Sequence, residues 1–225
     1  LNYQNQVVWK KQMVKDAFER IGHLEDFQIA DVIGMENPWN YRNKMQLPVE
    51  KEQDDILIGC YQRGSHKVVN TPDCMIQSGW NNILLKEIQI FLKENQIDIY
   101  SEKDHSGWLR HVMGRSNRDG DGMLVIVGKT AELPGGKAKW IDGLKDIPGL
   151  KGISLNVNSG KTNTILGKET HLIWGESSLL ETLGNLSFSL SGTAFFQVNP
   201  VQTEVLYDTA IKYAKLSDHD KVLDA

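Results

Sequence analysis

Trp108-Leu-Arg-His-Val-Met-Gly-Arg-Ser-Asn-Arg-Asp-Gly-Asp-Gly-Met-Leu-Val-Ile-Val127 decides the fold class. Its first half sets Trp, Arg, Val and Gly against Leu, His, Met and Arg, an alternation of period two that reads as a strand over 108–115. Asn117-Arg-Asp-Gly-Asp-Gly122 is a dense turn signal, and Met123–Val127 is an apolar run that returns from it. Strands joined by so short a turn pair antiparallel, because a parallel neighbour needs a crossover of a dozen residues or more.

Outward from this hairpin the same grammar recurs. Tyr41–Val49 alternates as a half-buried strand, and Pro48 points to a sheet edge because proline cannot donate to a ladder. Ile56–Tyr61 and Lys67–Val69 form a hairpin through Arg63-Gly64-Ser65-His66. Short strands are expected at Gly152–Val157, Thr164–Leu166, His171–Trp174 and Leu186–Leu190. Helical spacing of apolar residues appears over Val7–Ile21, closed by Gly22, and over Trp80–Leu92, with Ser78 as its N-cap. A shorter helix is expected over Trp140–Ile147, stopped by Pro148 and Gly149. The fold class is α+β: a mainly antiparallel sheet with flanking helices.

After residue 190 the pattern changes. Asn199-Pro-Val-Gln202 supplies an N-cap, a proline at the first helical position and a glutamine three residues on, opening a helix to about Lys215. Val222-Leu-Asp224 then reads as a new strand, and a helix delivering such a strand is how many doubly wound domains open. We therefore expect one domain over 1–190 and the first elements of a Rossmann-like domain over 191–225.

Composition narrows the class. With 225 residues, 40% hydrophobic and 24% charged, the chain is neither disordered nor collagen-like. No apolar run approaches the roughly 18–20 residues of a membrane helix. Two cysteines, Cys60 and Cys74, cannot build a disulfide framework, so a reducing, cytoplasmic setting is expected. The net charge of −4 carries no global signal for nucleic acid. The chain begins at Leu1 with no signal peptide and ends on an apolar run without a turn, and is expected to be a fragment.

Three groups of residues carry candidate chemistry. Cys60 in Leu57-Ile-Gly-Cys-Tyr61 reads as a buried strand thiol, whereas Cys74 lies in the polar loop Thr71-Pro-Asp-Cys74, where a ligand role is open beside an inert one. No C-x-x-C and no paired histidines accompany them, so this chain lacks the donors for zinc or a complete cluster. Arg42, Lys44, Arg63, Lys67, Arg110, Arg115 and Arg118 fall on strands or hairpin tips among Trp39, Tyr41, Tyr61 and Trp108. Arginines and aromatics on one sheet face suit single-stranded RNA, and equally describe a solvated face. His66 and His111 read as surface or strand residues. Phe195-Phe-Gln-Val-Asn-Pro200 runs into the capped helix and sets Gln197 at a domain joint, where its amide either meets a small polar ligand or only packs.

Four motifs in order resemble one family: Asn37-Pro-Trp-Asn-Tyr-Arg-Asn-Lys44, Trp108-Leu-Arg-His-Val112, Thr162-Asn-Thr-Ile-Leu-Gly167 and Phe195-Phe-Gln-Val-Asn-Pro-Val-Gln-Thr-Glu204. Together they resemble the RNA uracil-C5 methyltransferases of tRNA and 23S rRNA, the last two looking most like the bacterial 23S rRNA enzymes. The resemblance implies an oligonucleotide-binding barrel, a central RNA-binding domain with a [4Fe-4S] cluster, and a Rossmann-like methyltransferase domain. Residues 1–190 look like the central part and 191–225 like the truncated start of the last. By similarity, Gln197 would contact S-adenosyl-L-methionine and Phe195 would lie near the target base. Cys74 resembles the cluster ligand that stands apart from the other three, while Arg42 and Arg110 would bind RNA on the sheet-face reading above. The family reaction adds a cysteine thiolate to uracil C6, methylates C5 and removes the C5 proton with a carboxylate. Neither nucleophile nor base lies in these residues, so no catalytic residue is assigned here. The expected partner is an RNA, ribosomal or transfer, with no membrane and a monomeric state. A non-catalytic RNA-binding module on the same sheet is the alternative, and an iron–sulfur redox protein a third reading.

Overall fold

The computed structural model describes residues 2–223, and these divide into two compact units on either side of the boundary between Trp39 and Asn40. In the first unit, α1 (Tyr3–Arg20) starts four residues earlier than the apolar spacing suggests, because the Asn2 side chain accepts from Asn5 N at 2.9 Å and caps the turn. The segment after Gly22 runs back along the helix. Phe27 meets Phe18 edge-on at 5.4 Å, Asp31 pairs with Lys11 at 2.7 Å, and Met35 N donates to Tyr3 Oη at 2.7 Å.

The second unit is built on a seven-stranded sheet. Its strands are β1 (Lys44–Glu52), β2 (Asp55–Tyr61), β3 (Val68–Asn70), β4 (Leu109–Ser116), β5 (Gly122–Gly128), β6 (Leu150–Val157) and β7 (Glu169–Gly175). Their spatial order is β3-β2-β1-β4-β5-β6-β7, and only β5 and β6 run parallel. That pair is joined through α3 (Lys137–Leu144), the crossover a parallel connection requires. The quoted hairpin is β4–β5, with Gly120 at φ 84° and Asn117 Oδ1 accepting from Asp121 N at 2.9 Å in its turn.

Helix α2 (Gly79–Glu94), capped by Ser78 as expected, lays Leu84, Leu85, Ile88, Phe91 and Leu92 on one face of the sheet. Gly114 of β4 leaves room for that contact, since a Cβ there would crowd Met45, Asn81 and Leu84. The opposite face is covered by chain after β6. Met113, Val125 and Val127 form a second apolar cluster with Leu166, and Gly192 sits against Val125. The strand expected over 108–115 is β4, and every residue of β4 and β5 is buried, so both faces of the hairpin are roofed. A separate hairpin, β8 (Ser178–Leu183) with β9 (Leu186–Ser191), and α4 (Pro200–Ala214) complete the unit.

Other expectations are also corrected. Pro48 lies inside the sheet, opposite His111 of β4, one residue before the β2 ladder begins at Val49. Thr164–Leu166 is loop, its carbonyls drawn to side chains instead of to a strand. Cys60 is exposed, opposite the exposed Val69 of the three-residue edge strand β3. Lys221–Leu223 lie in no strand, and the rest of the strand expected there falls outside the described residues. Among the described residues, no helix is long and apolar enough to cross a membrane.

Candidate functional site

Residues 193–199 form a short segment between β9 and α4, held on both sides. Asn43, just before β1, takes one end: its N–H donates to Val198 O at 3.0 Å and its Nδ2 to Gln197 O at 3.3 Å. Lys44 takes the other, with Nζ at 3.4 Å from Thr193 O and 3.2 Å from Ala194 O. Arg115, at the end of β4, also donates through Nη2 to Ala194 O. Phe196 packs on Phe188 of β9 at 5.5 Å, and Asn199 caps α4 by accepting from Gln202 N at 3.0 Å. What is left outward is Phe195, 83% exposed, and the side chain of Gln197. A large apolar ring held in water by pinned neighbours is an unusual outlay for a monomeric surface.

The electrostatics beneath the segment are one-sided. Burial, then the nearby Arg115 and Arg42 charges, push the Lys44 ammonium below its ordinary range. Burial likewise lowers Arg115, opposed by Glu181, whose own carboxyl is raised by burial. Among the described residues, none of Arg42, Lys44 and Arg115 makes an ion pair. Arg42 is half-buried, its Nε donating to Lys44 O at 3.0 Å.

Arg110 is placed differently from the expectation. It is the unpaired residue of a β-bulge, where the ladder slips between Leu109 and His111. A bulge re-aims a side chain. Arg110 is 4% exposed, lies 4.4 Å over the Tyr100 ring, and donates to Asn158 O at 2.9 Å, Gly160 O at 2.5 Å and Thr162 O at 3.4 Å. Asn156 and Asn158 complete the brace. Asn156 Nδ2 donates to Gly167 O and Glu169 O, both at 3.1 Å, and Asn158 Nδ2 to Thr164 O at 2.6 Å and Ile165 O at 2.9 Å. The Thr162–Gly167 motif is thus a loop fixed by three side chains, two of which the sequence reading missed. Their alternate spacing, at the end of β6 and just past it, was the available signal.

The open face of interleaved arginines and aromatics is therefore corrected. Arg110 and Arg115 are buried under loops, Trp108 packs on Trp140 at 5.6 Å, and Arg118 pairs with Glu204 at 2.8 Å. Lys67 pairs with Glu52 at 3.2 Å and His66 with Glu102 at 2.6 Å. Trp39 belongs to the first unit.

Known proteins give these loops a context. No protein-family model matches the chain. An uncharacterized RNA methyltransferase of Clostridium tetani is 41% identical over all of this chain and 49% of its own length. One from Bacillus cereus is 39% identical with the same coverage, and one from Staphylococcus aureus is 33% identical over all of this chain and 50% of its own. The chain is a relative of bacterial RNA methyltransferases. It spans about half the length of these curated relatives. The fold is also that of part of a solved structure, the tRNA (uracil-54, C5)-methyltransferase of Pyrococcus abyssi in complex with S-adenosyl-L-homocysteine. The TM-score is 0.73 at 22% identity, over 94% of this chain and 48% of that one. The motif resemblance is thereby supported at the level of RNA methyltransferases, and the structural likeness adds the fold.

In this RNA methyltransferase relative, Cys74 is half-buried, and Asn82 brackets its main chain, accepting from Cys74 N and donating to Cys74 O at 3.1 Å each. Among the described residues, no three His, Cys, Asp or Glu side chains gather as a metal site. One thiol does not fit a four-ligand iron–sulfur cluster. Gln197 has its main-chain carbonyl held by Asn43 and its side chain exposed.

Proposed function

We propose that the chain is the RNA-engaging part of an enzyme that methylates uridine at C5 in RNA, with 23S rRNA as the preferred substrate class, using S-adenosyl-L-methionine. The supporting observation is the pinned segment 193–199, which holds Phe195 out in water beside the Gln197 amide in a chain related along its length to RNA methyltransferases. On this reading Phe195 stacks on or against the target base, as exposed aromatics do with unstacked nucleotides. Gln197 offers its amide to the cofactor, which when bound supplies the methyl group. Arg42 gives the phosphates a cation. Arg110 serves substrate indirectly, by shaping the 158–167 loop. Residues 191–225 open the methyltransferase domain, Cys74 stands as the lone candidate thiol, the setting is cytoplasmic and the protein a monomer.

Fluorescence anisotropy with a short uridine-bearing RNA tests the chain's share. Binding is expected to weaken as salt rises, and Phe195→Ala to loosen it several-fold. No binding by the wild-type chain at low salt would overturn the RNA-engaging role. For the longer protein of which the chain is proposed to be part, labelled methyl is expected on uridine C5, and label on another base would overturn the uridine reading.

A further inference from the structure

Lys44 and Arg115 are partners in register across the β1–β4 ladder, two cations directly opposite one another. Like charges so placed oppose folding, and Arg115 is only 1% exposed, where an unpaired guanidinium is costly. Its Nε and Nη1 have no hydrogen-bond partner among the described residues. An apolar pair would serve the sheet better. What the two cations do share is a target: both donate to the carbonyl of Ala194, the residue before Phe195, and Lys44 also reaches Thr193 O. Asn43 holds the far side through Gln197 and Val198. The exposed ring is thereby clamped one residue from fixed backbone on its N-terminal side and two residues from it on the other.

We propose that Lys44 and Arg115 are positioning residues, a two-cation clamp on Ala194 that sets the direction in which Phe195 and Gln197 are presented to RNA. The clamp rests on the function proposed above for Phe195, and it gives a role to Lys44, the last residue of the Asn37–Lys44 motif, and to Arg115, which lies in none of the four motifs. Pre-ordering the segment removes the entropy cost of fixing it on binding, so loosening it lowers productive contact without removing a contacting group.

Two readouts on the same chain test it. The first is hydrogen exchange of the amides of 193–198. The second is photo-crosslinking at Phe195 with RNA carrying 5-iodouridine. In Lys44→Met, exchange over 193–198 is expected to quicken at least ten-fold while β4 and β5 stay protected, and crosslinking at Phe195 to fall at least five-fold. Lys44→Arg, which keeps a donor within reach, is expected to restore both, and Arg115→Met to match Lys44→Met over 193–198. Unchanged exchange there in Lys44→Met overturns the clamp, as does quickened exchange with undiminished crosslinking. Exchange quickened throughout the sheet by Lys44→Arg as well as Lys44→Met shows a general packing role and also overturns it. Absence of any Phe195 crosslink in the wild-type chain refutes the RNA role of that ring, while the exchange arm still decides the clamp.

Discussion

Arg118, in the β4–β5 turn, lies with Nη2 2.8 Å from Oε1 of Glu204 on α4, and the same carboxylate oxygen accepts from Gly184 N in the β8–β9 turn at 2.7 Å. One carboxylate therefore joins the central hairpin, the small hairpin and the helix that follows Phe195. The Gly184 N–H first, and Arg118 with it, hold Glu204 below its ordinary carboxylate range against the effect of burial. Glu204→Gln keeps an acceptor for Gly184 but loses the ion pair. With both side chains about a third exposed, the expected loss is about 0.5–1 kcal/mol, shrinking with salt. Because the folded carboxyl is the stronger acid, this contribution is present above the unfolded pKa and fades as pH falls through the folded value. Urea titrations of wild type and variant at low and high salt check it, and equal stability at low salt would remove the tie.

Arg110 bears the heavier internal load. Arg110→Met leaves the carbonyls of Asn158, Gly160 and Thr162 without their charged donor and strips the cation from the Tyr100 face. Loss of about 2–4 kcal/mol is expected, with protease cleavage appearing between 159 and 168. RNA affinity is expected to fall while its salt slope stays the same, because the slope counts neutralised phosphates and Arg110 faces carbonyls. A slope reduced by about one unit would instead place a phosphate on Arg110.

The contrast between Arg110 and its neighbours shows what the sequence could reveal. The hairpin at 108–127, the Ser78 and Asn199 caps and the run of antiparallel pairs are local patterns, and period and turn chemistry suffice to read them. Burial of β4 on its second face is not local. It depends on loops arriving from residues 158–167 and 192–194, some 50 to 80 positions away. An arginine on a strand looks the same in sequence whether it faces water or a distant carbonyl, so charge pattern alone described an open RNA face. Pro48 misled for a related reason. A missing N–H fits inside a sheet where one ladder has yet to begin, and register is set by the partner strand. Phe195 and Gln197 were legible as a motif, whereas Asn43, Lys44 and Arg115, which hold them, were distinguishable only once three separate segments met.

Gly167 closes the braced loop, and its missing side chain is needed there. A Cβ at this position would fall on the carbonyl oxygen of Val157, a backbone atom that cannot swing aside. Gly167 N also donates to Asn156 Oδ1 at 2.8 Å, and Gly167 O accepts from Asn156 Nδ2. Gly167→Ala is expected to cost about 1–3 kcal/mol by overpacking and to open the 158–167 loop to proteases before the sheet unfolds. Asn156→Ala is expected to give the same local cleavage. A Gly167→Ala protein as stable and as resistant as wild type would show that the loop relaxes around a side chain.

His111 supplies a pH dependence that can be isolated. It stands in β4 between Pro48 and Val127, 4% exposed, and neither ring nitrogen has a hydrogen-bond partner among the described residues. Burial, then the adjacent Arg110 charge, push its pKa down to about 4, with Glu102 opposing. The folded imidazole is therefore neutral where the unfolded one, near 6.5, begins to take a proton. Below that unfolded value only the unfolded state binds the proton, so stability falls with pH at up to about 1.4 kcal/mol per unit until the folded group also titrates near 4. Above pH 7 the contribution is complete and flat. His111→Leu removes the titration, and since it deletes two unpartnered polar atoms it is expected to cost little at pH 7. Carboxylates titrate toward the acid end of this window in both proteins, so the difference between the two stability curves is the measurement. The curves are expected to converge, and the variant then to become the more stable, between pH 6.5 and 4.5. Parallel curves across that range would mean that the imidazole reaches solvent or a partner in the folded protein.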